Sequence, residues 1–178
     1  MRGACFPGDD EADPASLAKA DGRVFGGEPG RKVWVSPARA ASQTAYALGM
    51  VPQVAVDLAE ADAGRWRGRP YARIAEEEPE ALAAWLADPD AAPHGGESLR
   101  SMSVRVAAWM DAMRVTPDVV VVCDVGVIRA ALGHALGVGI VPAARFDIAP
   151  LSATEIALAG EGWRVAYVNH YVNHTAAT

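Results

Sequence analysis

Two acidic residues and one serine stand where predicted strands end, and their types could support proton transfer. Asp124 follows a run of four valines and a cysteine, Ser36 follows a short apolar strand, and Glu60 follows an alternating one. In parallel sheets, ligands bind outside the carboxyl ends of the strands. Burial and mutual repulsion raise the pKa of one carboxyl group in a close pair, which leaves an acid beside a base. The sequence therefore predicts Asp124 and Glu60 as a catalytic pair.

Five further side chains are candidates for contact with a substrate, because each lies in or near a segment that leads to the predicted cleft. They are Ser36, Arg39, His94, Glu97 and Cys123. Structural roles compete with these assignments: Ser36 as a helix cap, Arg39 as a surface ion-pair residue, His94 as an exposed loop residue and Cys123 as a buried, inert thiol. Asp124 could likewise serve only as the N-cap of the following helix, and Glu60 only as a solvated loop carboxylate.

Metal binding is not predicted from the histidines and cysteines. His170 and His174 have the i,i+4 spacing of a metal-binding pair, but such a pair requires a helix, and no third ligand is evident. Cys5 and Cys123 show neither metal-site spacing nor a disulfide framework. We therefore expect no metal and no other cofactor.

Strands and helices alternate through the middle of the chain. This order predicts a mostly parallel sheet covered on both faces, with a late antiparallel hairpin at one edge joined through residues 159–162. The predicted helices begin at Asp13, capping a proline, at residue 37 (to residue 48), at residue 71 (to residue 86, with Pro79 as a possible kink), after Ser98, and after Asp124 (to about Gly137). The predicted strands cover 32–35, 53–58, 119–123, 145–148, 153–158 and 163–168, and residues 22–31 read as a loop.

Length and composition restrict the class of protein. The chain has 178 residues, enough for a single domain over 1–178 with a substantial core. A net charge of −6 argues against nucleic acid or an anionic membrane as partner, since both favour basic surfaces. No apolar run is long enough to cross a bilayer, and the first ten residues lack the order of a signal peptide. We expect a cytoplasmic protein that acts on a small molecule.

Several motifs resemble the histidine phosphatase superfamily, in its phosphoglycerate-mutase-like branch. Residues 36–49 resemble the family's SP…QTA…LG helix, residues 58–68 its LxE…GxWxG segment, and residues 95–98 with Arg105 its GGES…R helix start. Residues 121–132 resemble the strand and helix that carry the family's second catalytic histidine. The resemblance spans nearly the whole chain and implies a three-layer α/β/α sandwich.

Members of that family transfer a phosphoryl group through a phosphohistidine, with a second histidine and two arginines holding the phosphoryl oxygens. This sequence departs from that set. It contains no Arg-His-Gly, Ala40 stands where the family's helix arginine is expected, and Asp124 stands in place of the second histidine. Glu60 alone matches, at the place of the proton-donating carboxylate. Residues 6–10 resemble the segment just after the family's first strand, so we expect that strand to be missing.

The resemblance and the departures from it leave three functional hypotheses. The first is a repurposed enzyme that uses Asp124 and Glu60 for acid/base work on a small metabolite, with isomerisation, elimination, dehydration and hydrolysis all open. The second is a catalytically inactive relative that binds a ligand or a protein partner. The third is residual phosphomonoesterase activity. A missing first strand would leave an edge open beside the Asp124 strand, where a further segment or a second copy in a homodimer could pair.

Overall fold

The computed structural model describes residues 4–21, 31–116 and 118–171. Within these residues, seven α-helices and five strands follow one another along the chain. The helices are α1 (Pro14–Ala20), α2 (Arg39–Ala47), α3 (Tyr71–Glu77), α4 (Pro79–Ala87), α5 (Leu99–Ala112), α6 (Val125–Leu136) and α7 (Ile140–Ala143). The strands are β1 (Lys32–Val35), β2 (Gln53–Val54), β3 (Val119–Val122), β4 (Ser152–Ala159) and β5 (Gly162–Tyr171).

Three strands form a parallel sheet in the order β2-β1-β3. Val35 of β1 lies opposite Val54 of β2 and Val122 of β3, so all three strands end at nearly the same level. Strands β4 and β5 form a separate antiparallel hairpin rather than an edge of this sheet. The mixed α/β class, the parallel sheet and the late hairpin are therefore confirmed, whereas the attachment of the hairpin to the sheet is not.

Helices cover both faces of the parallel sheet because alternate side chains of each strand point to opposite faces. On one face, Val35 and Val122 pack with Ala41 and Ala45 of α2. On the other face, Trp34 and Val121 join the apolar residues of α5 and α6, among them the buried residues Met102, Val106, Met110, Val127 and Ala130. Ile156 and Trp163 bring the hairpin into this second core. The result is the predicted three-layer arrangement.

Local sequence signals set several helix boundaries as expected. Asp13 caps α1 by accepting a hydrogen bond from the Ser16 N–H at 2.9 Å, and Ser98 caps α5 by accepting one from Ser101 at 3.1 Å. Helix α6 ends at Gly137, whose φ of 67° is the left-handed conformation that glycine tolerates. Pro79 does more than kink the segment 71–86: the helix ends at Glu77 and a second one starts at Pro79, because proline has no N–H to continue the first.

Three predicted elements are wrong in extent or type. The segment 53–58 is a strand only at Gln53–Val54 and then turns into a 3₁₀ helix at Val56–Leu58, which buries Leu58 against the core. The segment 145–148 is no strand, since the N–H groups of Arg145 and Phe146 bond back to the preceding helix. The predicted helix 37–48 is shorter and begins after Ala38.

Strand β3 lies at an edge of the parallel sheet among the described residues. The carbonyl of Val122 accepts a hydrogen bond from the Ser36 N–H on the β1 side. The hairpin contacts α6 rather than continuing the sheet beyond β3. His174 and most of the loop predicted over 22–31 fall outside the described residues.

Candidate functional site

The carboxyl ends of β1 and β3 bring Ser36 and Asp124 together. The parallel register sets Val35 beside Val122, so the next residues of both strands emerge at the same edge. Ser36 is fully buried, and its hydroxyl donates a hydrogen bond to Asp124 Oδ2 at 3.0 Å. The expectation that Ser36 caps α2 is therefore wrong: Ala38 holds the N-cap position, and the serine hydroxyl is committed to the carboxylate on the neighbouring strand.

Glu60 reaches the same place from the turn after β2. Its Oε2 accepts a hydrogen bond from the N–H of Gly126 at 2.9 Å, and its Oε1 accepts one from Ala61 at 3.1 Å. Gly126 is the second residue of α6, where the backbone N–H has no partner within the helix. Asp124 occupies the N-cap position of α6 but makes no side-chain capping bond, so Glu60 performs that role instead.

The close approach of Glu60 to α6 depends on the missing side chain of Gly126. A Cβ atom at this position would lie 2.0 Å from Glu60 Oε1 and 2.4 Å from Oε2, far inside van der Waals contact. Position 126 is inside the first turn of a helix, where glycine is otherwise less favourable than alanine. The glycine is thus explained by the carboxylate that rests against it.

Burial raises the pKa of the Glu60 carboxyl group above its ordinary value, and the nearby charge of Asp124 raises it further. The N–H groups of Ala61 and Gly126 and the charge of Arg105 lower the same pKa without cancelling the effect of burial. Glu60 is also half-buried rather than exposed. Glu60 thus has the raised pKa expected for one member of the pair, and it lies close enough to Asp124 for that charge to contribute.

Cys123 forms an apolar part of the site. Burial raises the pKa of its thiol far above the ordinary value, and the charges of Asp124 and Glu60 act in the same direction. The thiol therefore stays protonated at neutral pH, which removes the thiolate that nucleophilic or metal-binding chemistry would require. The side chain packs against the apolar core that includes residues of α5 and α6.

Glu97 and Arg105 form an ion pair beside the turn that carries Glu60. Both carboxylate oxygens of Glu97 accept from Arg105, at 2.9 Å and 2.6 Å. The same guanidinium donates to the carbonyl of Asp57 at 2.7 Å. Glu97, predicted to contact substrate, is thus committed to a protein partner, and among the described residues no basic side chain contacts the carboxylates of Glu60 and Asp124.

Two other predicted site residues are placed away from this pair. His94 is buried, not exposed as expected: its Nδ1 accepts a hydrogen bond from Gly96 at 3.0 Å, and its ring meets the edge of Trp66. Burial lowers the pKa of His94, so its imidazole favours the neutral form. Arg39 is more than half exposed and pairs with Glu11. Arg39 thus makes the surface ion pair that was its alternative interpretation, whereas the alternative for His94, an exposed loop position, is wrong.

The described residues contain no group of three or more potential ligands that could hold a metal ion. His170 lies on strand β5 next to Tyr167 rather than on a helix, and His174 is outside the described residues. None of the helices in the described part of the chain combines the length and apolar character that a bilayer crossing requires.

The sequence model of the histidine phosphatase superfamily, branch 1, matches residues 15–170. The chain belongs to the histidine phosphatase superfamily. A curated relative, the bifunctional protein Rv2228c of Mycobacterium tuberculosis, is 36% identical over 129 residues, which are 67% of this chain and 35% of that protein. This histidine phosphatase relative therefore spans about a third of the length of the curated relatives it matches.

Solved structures agree with the assignment. The mycobacterial glucosyl-3-phosphoglycerate phosphatase Rv2419c, in its complex with inorganic phosphate, is 26% identical with a TM-score of 0.78, over 94% of this chain and 92% of that chain. The α-ribazole phosphatase of Shigella flexneri has a TM-score of 0.82 at 17% identity, over 96% of this chain and 91% of that chain. At that identity the second match supports the fold alone, and both confirm the phosphoglycerate-mutase-like architecture.

Sequence reasoning missed the part played by the backbone. Gly126 gave no signal beyond an unfavourable residue near a helix start, and its contact with Glu60 joins residues 66 positions apart. Arg105 was noted only as part of a family motif, although the acidic residue eight positions before it is an available partner. Glu60 as the cap of α6 could not be read from the sequence, because Asp124 is the local candidate for that role.

Proposed function

We propose that this histidine phosphatase relative carries out acid/base chemistry on a small metabolite, without a phosphohistidine intermediate. The observation that carries the proposal is the pair itself: Glu60, half-buried against the start of α6 with a raised pKa, and Asp124 after the end of β3. In its protonated form Glu60 can donate a proton to a leaving or carbonyl oxygen. Asp124 can accept one, since no described residue donates to its Oδ1.

The charge distribution argues against the ancestral reaction. In the transition state of phosphoryl transfer, the phosphoryl group carries negative charge on its oxygens and needs fixed cationic donors. Here Asp124 presents a carboxylate, and the guanidinium of Arg105, whose charge acts on Glu60, is paired with Glu97. The start of α6 is taken by Glu60, so its N–H at Gly126 is not free to bind an anion. These contacts favour a neutral or only weakly anionic reactant.

Ser36 supports the proposed base. Its hydroxyl holds one oxygen of Asp124, which fixes the carboxylate at the strand end while the other oxygen can meet a substrate. Cys123 with its protonated thiol adds an apolar wall. General acid and base groups of this kind contribute about 10²–10⁴-fold each to a reaction rate.

A metabolite-depletion experiment tests the proposal. Purified protein is incubated with a small-molecule extract, and conversion is followed by mass spectrometry for wild type, Asp124→Asn and Glu60→Gln. We expect wild type to convert a defined compound and both variants to lose at least about 10²-fold in rate. Asp57→Asn is the matched control, because this carboxylate is exposed on the same turn and should leave the rate unchanged.

Two results would contradict the proposal. Turnover of p-nitrophenyl phosphate that Asp124→Ala abolishes would point to a retained phosphatase. Conversion of a compound at equal rates by wild type and both carboxylate variants would place the chemistry elsewhere.

A catalytically inactive, ligand-binding protein is the second candidate, and one observation favours it. Glu60 already has a structural task as the cap of α6, which would retain a carboxylate at this position without any reaction. This candidate predicts that Glu60→Gln lowers stability but that no compound of the extract is converted by wild type. A thermal-shift screen with phosphate, vanadate and neutral metabolites would then identify what it binds.

A further inference from the structure

The guanidinium of Arg105 holds both ends of the turn that carries Glu60. It donates to the carbonyl of Asp57 at 2.7 Å and to the carbonyl of Glu60 itself at 3.5 Å. Asp57 is the middle residue of the 3₁₀ helix Val56–Leu58, whose last residue, Leu58, is buried in the core. The turn is thus fixed by an apolar anchor on one side and by one cation on the other.

Glu97 fixes the orientation of that cation. Its two oxygens accept from Nε and Nη2 of Arg105 at 2.9 Å and 2.6 Å, the fork geometry that only a planar guanidinium provides. Both side chains are largely buried, with 24% and 20% of their surface exposed. The backbone N–H of Glu97 also donates to the carbonyl of Asp62 at 2.8 Å, which joins the same loop from its other end.

We propose that Arg105, oriented by Glu97, is the positioning residue that keeps the Glu60 carboxylate on the N–H of Gly126. The inference rests on the proposed function, in which Glu60 is the acid. Arg105 does not reach the carboxylate; it acts through the backbone of the turn. Fixing the Glu60 carbonyl limits how far the side chain can swing, and the carboxylate lies against a helix start that accommodates it only because residue 126 lacks a Cβ atom.

Arg105→Lys is the informative variant because it retains the positive charge. A lysine ammonium is a point charge that cannot bridge a carboxylate and two carbonyls in one plane. Any change at Glu60 then reflects lost geometry rather than lost charge. Two quantities are followed by NMR. The first is the hydrogen-exchange rate of the Gly126 amide, which donates a hydrogen bond to Glu60. The second is the pH titration of the chemical shift of the Glu60 carboxyl carbon.

We expect Arg105→Lys to speed Gly126 amide exchange by about tenfold and to move the Glu60 titration toward its ordinary range, since a loosened carboxylate becomes better solvated. The matched control is Arg100→Lys: Arg100 is on the same helix and pairs with Asp90, but it has no contact with the turn. This variant should leave both readouts at the wild-type value. Glu97→Gln, which keeps an acceptor but loses the charge, should give a smaller change in the same direction.

Two results would overturn the inference. One is that Arg105→Lys lowers the melting temperature while both readouts at Gly126 and Glu60 stay at wild-type values, as a merely structural ion pair predicts. The other is that Arg100→Lys produces the same change. Should Arg105→Lys fail to fold, Glu97→Gln decides by the same readouts. These measurements need no substrate, so a failure of the proposed acid/base function would be seen separately, in the metabolite experiment.

Discussion

The contact between Gly126 and Glu60 predicts that Gly126→Ala destabilises wild type but stabilises a Glu60→Ala variant. In wild type, an alanine Cβ at position 126 would lie 2.0 Å and 2.4 Å from the two carboxylate oxygens, so the flexible Glu60 side chain must leave. It then loses its hydrogen bonds to Ala61 and Gly126. In a Glu60→Ala background the three atoms nearest to that Cβ, all from Glu60, are removed, and we expect the same substitution to be accommodated.

The magnitudes follow from opposing contributions. Charge-assisted hydrogen bonds contribute about 1.5–3 kcal/mol, part of which is recovered when the displaced carboxylate regains water and moves away from Asp124. Alanine in place of a helical glycine gains about 0.5–1 kcal/mol. We therefore expect Gly126→Ala to destabilise wild type by about 1 kcal/mol and to stabilise the Glu60→Ala variant by about 0.5 kcal/mol.

Urea denaturation of the four proteins in this double-mutant cycle measures both effects. The coupling between the two positions should be about 1.5 kcal/mol, well above the scatter of such cycles. If Gly126→Ala shifts the free energy of unfolding by the same amount in both backgrounds, Glu60 does not rest against residue 126 in solution. The assignment of Glu60 as the cap of α6 would then be wrong.

Three further predictions concern ionisable groups. The pKa of Glu60 is raised above the 4.5 of the unfolded chain, so its favourable contribution to the free energy of unfolding is complete below pH 4.5 and is lost as the pH rises through the folded-state value. The melting temperature of Glu60→Gln should therefore rise relative to that of wild type between acid and neutral pH. A difference in melting temperature that stays constant with pH would contradict this. Asp111 accepts a hydrogen bond from Trp163 in the hairpin, and this bond, together with those from neighbouring basic groups, lowers the pKa of Asp111 from 3.8 to about 2. Its contribution to the free energy of unfolding is therefore present above pH 3.8 and disappears as the pH falls through about 2. Asp111→Asn should lower the melting temperature at pH 7 but not near pH 2. Burial raises the pKa of the Cys123 thiol, so a thiol reagent at neutral pH should modify exposed Cys5 rapidly and Cys123 only after unfolding, and rapid double modification of the native chain would refute that burial.

The elements with strong local signals were predictable from the sequence. The valines of β3 require burial on both faces, and Asp13 and Ser98 each have a side-chain oxygen that satisfies a helix N–H. The hairpin between β4 and β5 follows from its glycine-containing turn and alternating strands. The segment 53–58 was wrongly predicted as one strand because its alternation is shared by a short strand and by a 3₁₀ turn that buries Leu58.

The placement of Ser36 and Asp124 at neighbouring strand ends could be predicted because parallel strands direct their carboxyl ends to one edge, whereas Glu60 follows a 3₁₀ helix and not a strand. Their partners could not. Whether a carboxylate caps the helix beside it or accepts from a serine on another strand depends on contacts between residues 66 and 88 positions apart. No local pattern encodes such a choice.

The sequence by itself determined the family and the three layers, because motif order and hydrophobic period are properties of the chain. Only the tertiary structure decided that Glu60 caps α6, that a serine holds Asp124, and why residue 126 is glycine. The physical reason is that pKa and hydrogen-bond partner depend on distance and burial, and both are set when α6 packs against the turn that carries Glu60.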